Sequence, residues 1–410
     1  MAILTSKAET FDVFLQKSHE IHKESIQRAL ERYDKDIYCS IDHGRFELVR
    51  LDGRTILSSH GLIRFKRRYY LDKSTGEYCH LLDNRLRIPK SKRMTNELIV
   101  KLMELASIMT YKEAGEHLSD EFALSKSTVW RTIRESMVEA HFGGEISPGP
   151  KIHVQLDEKF IGMTGSKNKR RYYTLTVFAG KRRAGNSSEL LNKTVMSSSR
   201  LSDLKARLNA LLKKRYKVYS GDEVFLSGDL ASYIQGFGES ITCCRSRYVP
   251  DKFHVYKALR DSLPDVSADD ISLNDRDFQG YLISRLSEID DGNAKKLKRL
   301  LESNPKAFEP YLDPDYLGCS QECQNSHVYA PRFGKYANRF SPATIEKLAL
   351  IREAKAMNAA VVLRHKRRKL PDPIDFSSSK PYESPERFAL DTSGMRYETA
   401  KMFNAIKYGL

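Results

Sequence analysis

Apolar residues recur at Phe11, Phe14, Ile21, Ile26, Leu30 and Tyr33, close to a 3.6-residue period, so residues 10–33 are expected to form an amphipathic helix. The pattern then changes to alternation around residues 54–58 and 62–70, with His60-Gly61 between them, the spacing of a short hairpin. In its second strand, LIRFKRRYY, the period of two puts Ile63, Phe65, Arg67 and Tyr69 on one face and Arg64, Lys66 and Arg68 on the other. Helical periodicity resumes at Thr95 and breaks near Pro148-Gly149-Pro150, the strongest boundary signal in the chain.

Beyond that break, strands and helices alternate. KIHVQLDEKFIG, RRYYTLTVFAG and NKTVMSSS read as three successive strands, and LSDLKARLNALLKKRYKVY as a helix with Leu201, Leu204, Leu208, Leu211 and Leu212 on its apolar face. EVFLSGDLASYIQGF supplies a fourth strand and a helix, ITCCRSRYVP a fifth strand, and the whole predicts a mixed α/β sheet. Residues 257–316 look helical and heavily charged, an inserted bundle rather than more sheet. The expected organisation is a mostly helical N-terminal region with a helix and basic hairpin over 1–93, a helical DNA-binding segment over 94–147, an α/β domain over 151–360, and a basic, partly disordered tail over 361–410.

Charge narrows the function. The 410 residues hold 69 Lys and Arg against 53 Asp and Glu, a formal excess of +16 that is best matched by a polyanionic partner. No window approaches 18 consecutive apolar residues, and MAILTSKAETFDVF lacks the basic-then-apolar order of a secretory signal, so neither a membrane partner nor export is expected. Six irregularly spaced Cys are too few for a disulfide framework, and a cytoplasmic chain keeps them reduced.

Within TYKEAGEHLSDEFALSKSTVWRTIRESM, Thr110 and Glu113 form a capping box and Ser125 can cap a second helix. Ala114 and Leu118 on the first helix, with Val129 and Ile133 on the second, supply faces that pack across a turn. This is the pattern of a helix-turn-helix. Lys126, Ser127, Thr128 and Arg131 would then face outward as a recognition helix offering donors to a major groove; an ordinary helical hairpin is the alternative. Arg64, Lys66 and Arg68 on the hairpin, and Arg364, Lys366, Arg367 and Arg368 in the run RHKRRK, are further candidate contacts to a phosphate backbone.

Two acids stand out. Asp157 is expected at the exit of the first sheet strand, and Asp229 follows VFLSG, the fourth. In a ribonuclease-H-like sheet the first and fourth strands are neighbours, so the two carboxylates can meet at one edge. Facing carboxylates repel unless cations intervene, which implies hard divalent ions with oxygen ligands. Mg²⁺ ions roughly 4 Å apart would stabilise attacking and leaving oxygens in phosphodiester chemistry. A third acid should follow the fifth strand, and by spacing alone Glu302, Glu309, Glu346 or Glu353 could supply it, while Glu158 and Asp222 could replace their neighbours. Asp251 and His254 can lie at the rim, with packing beside Phe253 the plainer reading of His254. Cys319, Cys323 and His327 are one ligand short of a structural zinc site.

Cys319-Ser320-Gln321-Glu322, followed by Ser326-His327-Val328, resembles the CS-x-E … SHV signature of ISLre-type insertion-sequence transposases, related to the Mutator-like group. FKRRYYLDKSTGEYCHLLD, MTYKEAGEHL, VQLDEKFIG, LSGDLASYI and YVPDKFHVYKAL fit the same family in the same order, over roughly residues 50–360. The chain departs from the family at Cys323, where a Gly often stands, and at FGKYANRF, which replaces a Trp-containing segment. The resemblance implies a ribonuclease-H-like Asp-Asp-Glu transposase in which Asp157, Asp229 and Glu322 hold two Mg²⁺ (or Mn²⁺) ions. It further implies double-stranded DNA as partner, both element terminal inverted repeats and target, a homodimer or higher oligomer on that DNA, and a nucleoid-associated place in the bacterial cytoplasm. A non-catalytic, sequence-specific DNA-binding protein descended from such an enzyme shares the charge and the helix-turn-helix. A ribonuclease or resolvase shares the acids.

Overall fold

The computed structural model describes residues 11–90, 93–141, 146, 151–185, 187–267, 271–334 and 339–364. The described residues form two compact units, one from the stretches 11–102 and 111–132, the other from 103–110 and 133–364. Pro148-Gly149-Pro150 lies outside the described residues.

The first unit opens with helix α1 (Phe11–Ser40), which runs on past Tyr33. Strands β1 (Phe46–Ser58) and β2 (Gly61–Asp72) pair as an antiparallel hairpin, and β3 (Glu77–Cys79) adds to the far end of β2. This region therefore carries a three-stranded sheet and is less helical than its sequence suggests. The first half of β1 escaped the alternation test because Glu47–Leu51 is exposed throughout, an edge with no buried face to pattern. Helices α2 (Leu81–Arg85), α3 (Asn96–Ala106), α4 (Tyr111–Glu116) and α5 (Lys126–Glu135) follow. Ile37, Phe46, Ile56, Ile63, Phe65, Tyr70, Leu81 and Leu82 form the core. Arg54 and Arg67, on the buried face of the hairpin, share the Asp83 carboxylate. The open edge of β2 is capped by acids instead of a strand: the Leu62, Lys66 and Arg68 N–H groups donate to Glu121 (2.9 Å), Glu31 (2.9 Å) and Asp34 (3.1 Å).

The second unit begins with β4 (Met137–His141) and then β5 (Ile152–Ile161), β6 (Arg170–Phe178), the hairpin β7 (Gly180–Ala184) and β8 (Ser187–Leu191), and β9 (Thr194–Ser198). Helix α6 (Leu201–Lys214) leads to β10 (Glu223–Gly228), α7 (Ser232–Gly238) and β11 (Arg245–Pro250). The sheet order is β11-β10-β5-β6-β9, antiparallel through β5, β6 and β9 and parallel through β5, β10 and β11. The expected mixed α/β sheet is thus present; the β7–β8 hairpin between its second and third strands was not foreseen.

Helices α8 (Lys252–Ser262), α9 (Arg276–Ser287) and α10 (Gly292–Ser303) and a 3₁₀ helix (Pro305–Leu312) fill the inserted segment. Asp251, Asp275 and Asp291 cap the three α-helices with their carboxylates. Leu282, Leu286, Leu297, Leu301 and Phe308 share one core with Val154, Leu156, Val224 and Leu226, so the insertion is packed onto the sheet and is not an appendage. After it come α11 (Gln321–Gln324), a π turn (Asn325–Tyr329), α12 (Ala330–Phe333), α13 (Pro342–Ala356) and β12 (Ala360–Arg364). Strand β12 pairs with β4, which corrects the expectation that the loose tail starts at 361. Residues 365–410, with Lys366, Arg367 and Arg368, lie outside the described residues.

Glu353 on α13 is 1% exposed, accepting from the Ser197 hydroxyl and, at 3.0 Å, from Tyr329. Burial raises its carboxyl from 4.5 to about 7, against the weaker pull of Arg207. Between those values the folded chain keeps a proton the unfolded chain has released, so this group's contribution falls as pH rises from 4.5 to 7 and is flat above. Glu353→Gln keeps the shape and loses the titration. It is expected to melt higher than the native chain at pH 8, by up to roughly 3 kcal/mol, with the gap closing near pH 4 in calorimetric scans. A gap that persists unchanged at pH 4 would refute this.

Candidate functional site

The parallel pairing of β5 with β10 ends at Gln155 opposite Ser227. Carried two residues past that last pair, the register leads to Asp157, still within β5, and to Asp229, just past the end of β10, so both acids come to one edge of the sheet, where the Asp229 charge acts on Asp157. Asp157 is not at its strand's end as expected, since β5 continues to Ile161 against β6; it stands where β10 leaves. Gly228 permits the close approach of the two strands just before they part, because a Cβ there would come within 2.5 Å of the Leu156 carbonyl oxygen. Burial raises the Asp157 carboxyl above the ordinary range, and the Asp229 charge adds to that. Each acid is held by backbone: Asp157 Oδ1 accepts from Glu158 N–H (2.7 Å), and Asp229 Oδ1 from Ala231 N–H (2.9 Å).

The segment carrying Cys319 to Glu322 is hung on this edge by polar side chains of the sheet. Buried Gln155 donates to the Gly318 carbonyl (2.8 Å) and accepts from Ser320 N–H (2.9 Å). Gln321 donates to the Thr174 hydroxyl (3.1 Å), which donates in turn to the Asp157 carbonyl (3.3 Å). The side chain delivered to Asp157 is that of Asn325, whose Nδ2 lies 2.6 Å from Asp157 Oδ2. Glu322 is exposed on α11. Among the described residues no three His, Cys, Asp or Glu side chains stand close enough to hold a metal ion, so neither the carboxylate trio nor a Cys319, Cys323 and His327 cluster is assembled here.

The rival acids are committed elsewhere: Glu302 pairs with Lys298, Glu309 with Arg247, Glu346 accepts from Ser199 N–H, and Glu353 is enclosed. Glu158 faces Arg171 at 3.5 Å, and Asp222 closes a turn by accepting from Tyr219 N–H. Asp251 and His254 do lie beside the aspartates. Asp251 holds His254 Nδ1 at 2.8 Å, and the imidazole is raised above its ordinary pKa by that hydrogen bond, with Asp229 and Asp157 adding to it. Next to Asp229 opens a cavity of about 270 Å³ whose lining includes Glu158, Arg171, Tyr233, Lys296 and Arg299. Asn325, Gln155, Thr174, Lys296 and Arg299 were not singled out from sequence; an Asn two residues before His327 carries no pattern of its own.

In the first unit, Arg64, Lys66, Lys126, Ser127 and Arg131 are exposed. Arg68 is not free as expected: its guanidinium pairs with Asp34 at 2.6 Å and lies over the Tyr38 ring. Ser125 caps α5, accepting from Thr128 N–H at 3.2 Å and sharing a hydrogen bond with the half-buried Thr128 hydroxyl. Ala114, Leu118, Val129 and Ile133 are fully buried, and Gly115 has no room for a Cβ against the Leu124 carbonyl. Arg364 pairs through its backbone with Met137.

Fold and site together define a mixed α/β protein with two aspartates at one sheet edge, where two adjacent parallel strands part. The chain belongs to UPF0236, described as an uncharacterised protein family, whose pattern matches residues 8–360. A relative from Caldanaerobacter subterraneus subsp. tengcongensis, a UPF0236 protein whose name joins eleven loci, is 25% identical over 355 residues, covering 81% of this chain and 74% of the relative. Another, the UPF0236 protein in the vanSb 3′ region of Streptococcus gallolyticus, is 22% identical over 368 residues, covering 82% and 80%. A chain of the simian T-cell lymphotropic virus intasome in complex with PP2A regulatory subunit B56 gamma aligns with 42% of this chain and 64% of that one at 12% identity, with a TM-score of 0.14. No described helix is long and apolar enough to cross a membrane.

The Asp251–His254 pair generates a direct check. Replacing Asp251 with Asn keeps a capping side chain but removes the charge, so the His254 pKa is expected to fall toward 6.5 in an NMR titration. An unchanged or higher value would show that Asp251 does not set it.

Proposed function

We propose that this chain is a DNA transposase of the Asp-Asp-Glu kind, cutting and joining DNA with divalent metal ions. The observation that carries the reading is the pairing of β5 with β10, which brings Asp157 and Asp229 to one edge of the sheet, near enough for the charge of one to act on the other. The strand order supports it too, since the first sheet strand lies beside the fourth as in ribonuclease-H-like domains. A relative's name joining eleven loci of one genome, and another's joining four, fit a gene copied within that genome.

The residues suit hard cations: two carboxylates at a half-buried edge, and a buried amide oxygen, Asn325 Oδ1, with no hydrogen-bond partner. Asp157 and Asp229 would hold the ions, with Glu322, one helical turn before Asn325, as third acid. Such ions activate an oxygen nucleophile and stabilise the departing oxygen of a phosphodiester. The Asp251 bond engages His254 Nδ1, and in the protonated imidazolium, which Asp251 favours, Nε2–H can donate to a phosphate oxygen. Lys296 and Arg299 line the cavity beside Asp229 and would neutralise the backbone entering it. In the first unit, α4 and α5 are read as a helix-turn-helix, with Lys126, Ser127 and Arg131 toward DNA and Arg64 and Lys66 as phosphate contacts.

The exposed position of Glu322 is the one feature that favours the rival reading, a non-catalytic, sequence-specific DNA-binding protein. Cleavage separates the two. With the element's terminal DNA and Mg²⁺ or Mn²⁺, Asp157→Asn and Asp229→Asn are each expected to lower strand cleavage by orders of magnitude while DNA binding survives. Undiminished cleavage by Asp157→Asn would sink the assignment, and a native chain that binds those ends without cutting them would establish the rival. Affinity for DNA is expected to fall by about 10³ or more between 50 and 200 mM salt, as several neutralised phosphates require. Binding indifferent to salt would remove the backbone-contact picture.

A further inference from the structure

We propose that Asn325 is the positioning residue for Asp157: its amide holds the carboxylate in the metal-free chain and offers a neutral oxygen to the divalent ion once one is bound. The proposal rests on the reading of Asp157 and Asp229 as metal ligands.

Three independent features point to Asn325. Its Nδ2 donates to Asp157 Oδ2 at 2.6 Å, the oxygen left over after Glu158 N–H has taken Oδ1. Its own Oδ1 is buried with no hydrogen-bond partner in a residue only 6% exposed, and buried polar atoms are seldom left so unless something else satisfies them. Asn325 is also the first residue of the π turn Asn325–Tyr329, between two short α-helical stretches. A π turn inserts one extra residue into the helical register and re-aims the side chains around it, a device that recurs at functional sites. The turn is fixed from behind, since Gln321 is tied to Thr174 and Ser320 to Gln155.

The chemistry explains why an amide serves here. Two carboxylates at one edge repel, and a donor on one of them offsets part of that cost when no cation is present. A lysine would do so more strongly but would compete with the cation, and a third carboxylate would add to the repulsion. An amide carries donor and acceptor on one planar group, and a half-turn of its terminal torsion exchanges them without a change of volume. Asn325 can therefore bond the bare carboxylate and present an oxygen to an ion from the same position.

The test measures Mn²⁺ binding by calorimetry on the full chain, with thermal melting alongside, and needs no catalysis. Asn325→Ala is expected to weaken Mn²⁺ affinity 10- to 100-fold, the usual cost of losing a group that orients a metal ligand, while the chain still melts cooperatively. Asn325→Asp is expected to bind Mn²⁺ at least as tightly as the native chain and to gain more in melting temperature on adding Mn²⁺, because the ion relieves three carboxylates instead of two. An Asn325→Ala affinity within twofold of native, with binding abolished in Asp157→Asn, would overturn the role of Asn325 and leave the metal site standing. Weaker binding by Asn325→Asp than by the native chain would also overturn it, and decides the matter if the Ala variant does not fold. Should Asp157→Asn bind as the native chain does, or the native chain not bind, the metal reading itself fails and this proposal with it.

Discussion

Two aspartates brought to one sheet edge, where two neighbouring strands part, are the constraint that the second unit is built around. The β5–β10 pairing that creates the encounter is not negotiable, because Val154, Leu156, Val224 and Leu226 on those strands are the centre of the hydrophobic core. The strands can come this close at their ends only because position 228 is Gly. What remains adjustable is the surroundings of the carboxylates. Each has one oxygen on a backbone N–H, Asp157 has its other on an amide, and a His held by a further Asp stands beside them. Like charges brought together at a half-buried edge raise the cost of ionising both, and these donors offset part of it.

The same constraint accounts for the long insertion. Between β11 and the Cys319 segment the chain spends some sixty residues on three helices and a 3₁₀ turn, and these lay Leu282, Leu286, Leu297 and Leu301 against the sheet's own core. The insertion is held by hydrophobic burial, so it can return the chain to the β5 edge at a fixed place. There the fastening changes character. Gln155 and Thr174 point from the sheet and accept or donate to the returning segment, giving it direction where apolar contacts would only give it proximity. Acid placement in this unit is thus a product of core packing followed by a few directional bonds.

How far the sequence discloses this follows from the range of each force. Burial writes a periodic record, so the strands at 152–161, 170–178, 194–198, 223–228 and 245–250 and the apolar face of α6 could be read directly, and with them the region where two acids meet. Exposed edges write none, so the first half of β1 carries no alternation to read, and β12, at five residues, is too short for its alternation to stand out from the basic run that follows. Ion pairs are long in sequence and local in space: Asp34 claims Arg68 across thirty-four residues, and alternation alone could only say that Arg68 faces away from Arg67. The π turn is a matter of hydrogen-bond register, and composition does not encode register, so the motif pointed to Glu322 while the fold delivered Asn325 to Asp157.

The basic hairpin shows how a large positive charge divides between structure and surface. Of the five Lys and Arg between Arg54 and Arg68, Arg54 and Arg67 are spent on one buried carboxylate and Arg68 on another, which leaves Arg64 and Lys66 facing water. Acids perform the complementary task on the strand edge, where Glu31, Asp34 and Glu121 occupy N–H groups that would otherwise pair with another chain. An edge closed by side chains keeps its exposed charges without inviting strand addition. On the proposed reading as a surface that meets a phosphate backbone, the exposed Arg64 and Lys66 stand apart from the buried ion pairs of Arg54, Arg67 and Arg68, so engaging them would require no part of the core to open.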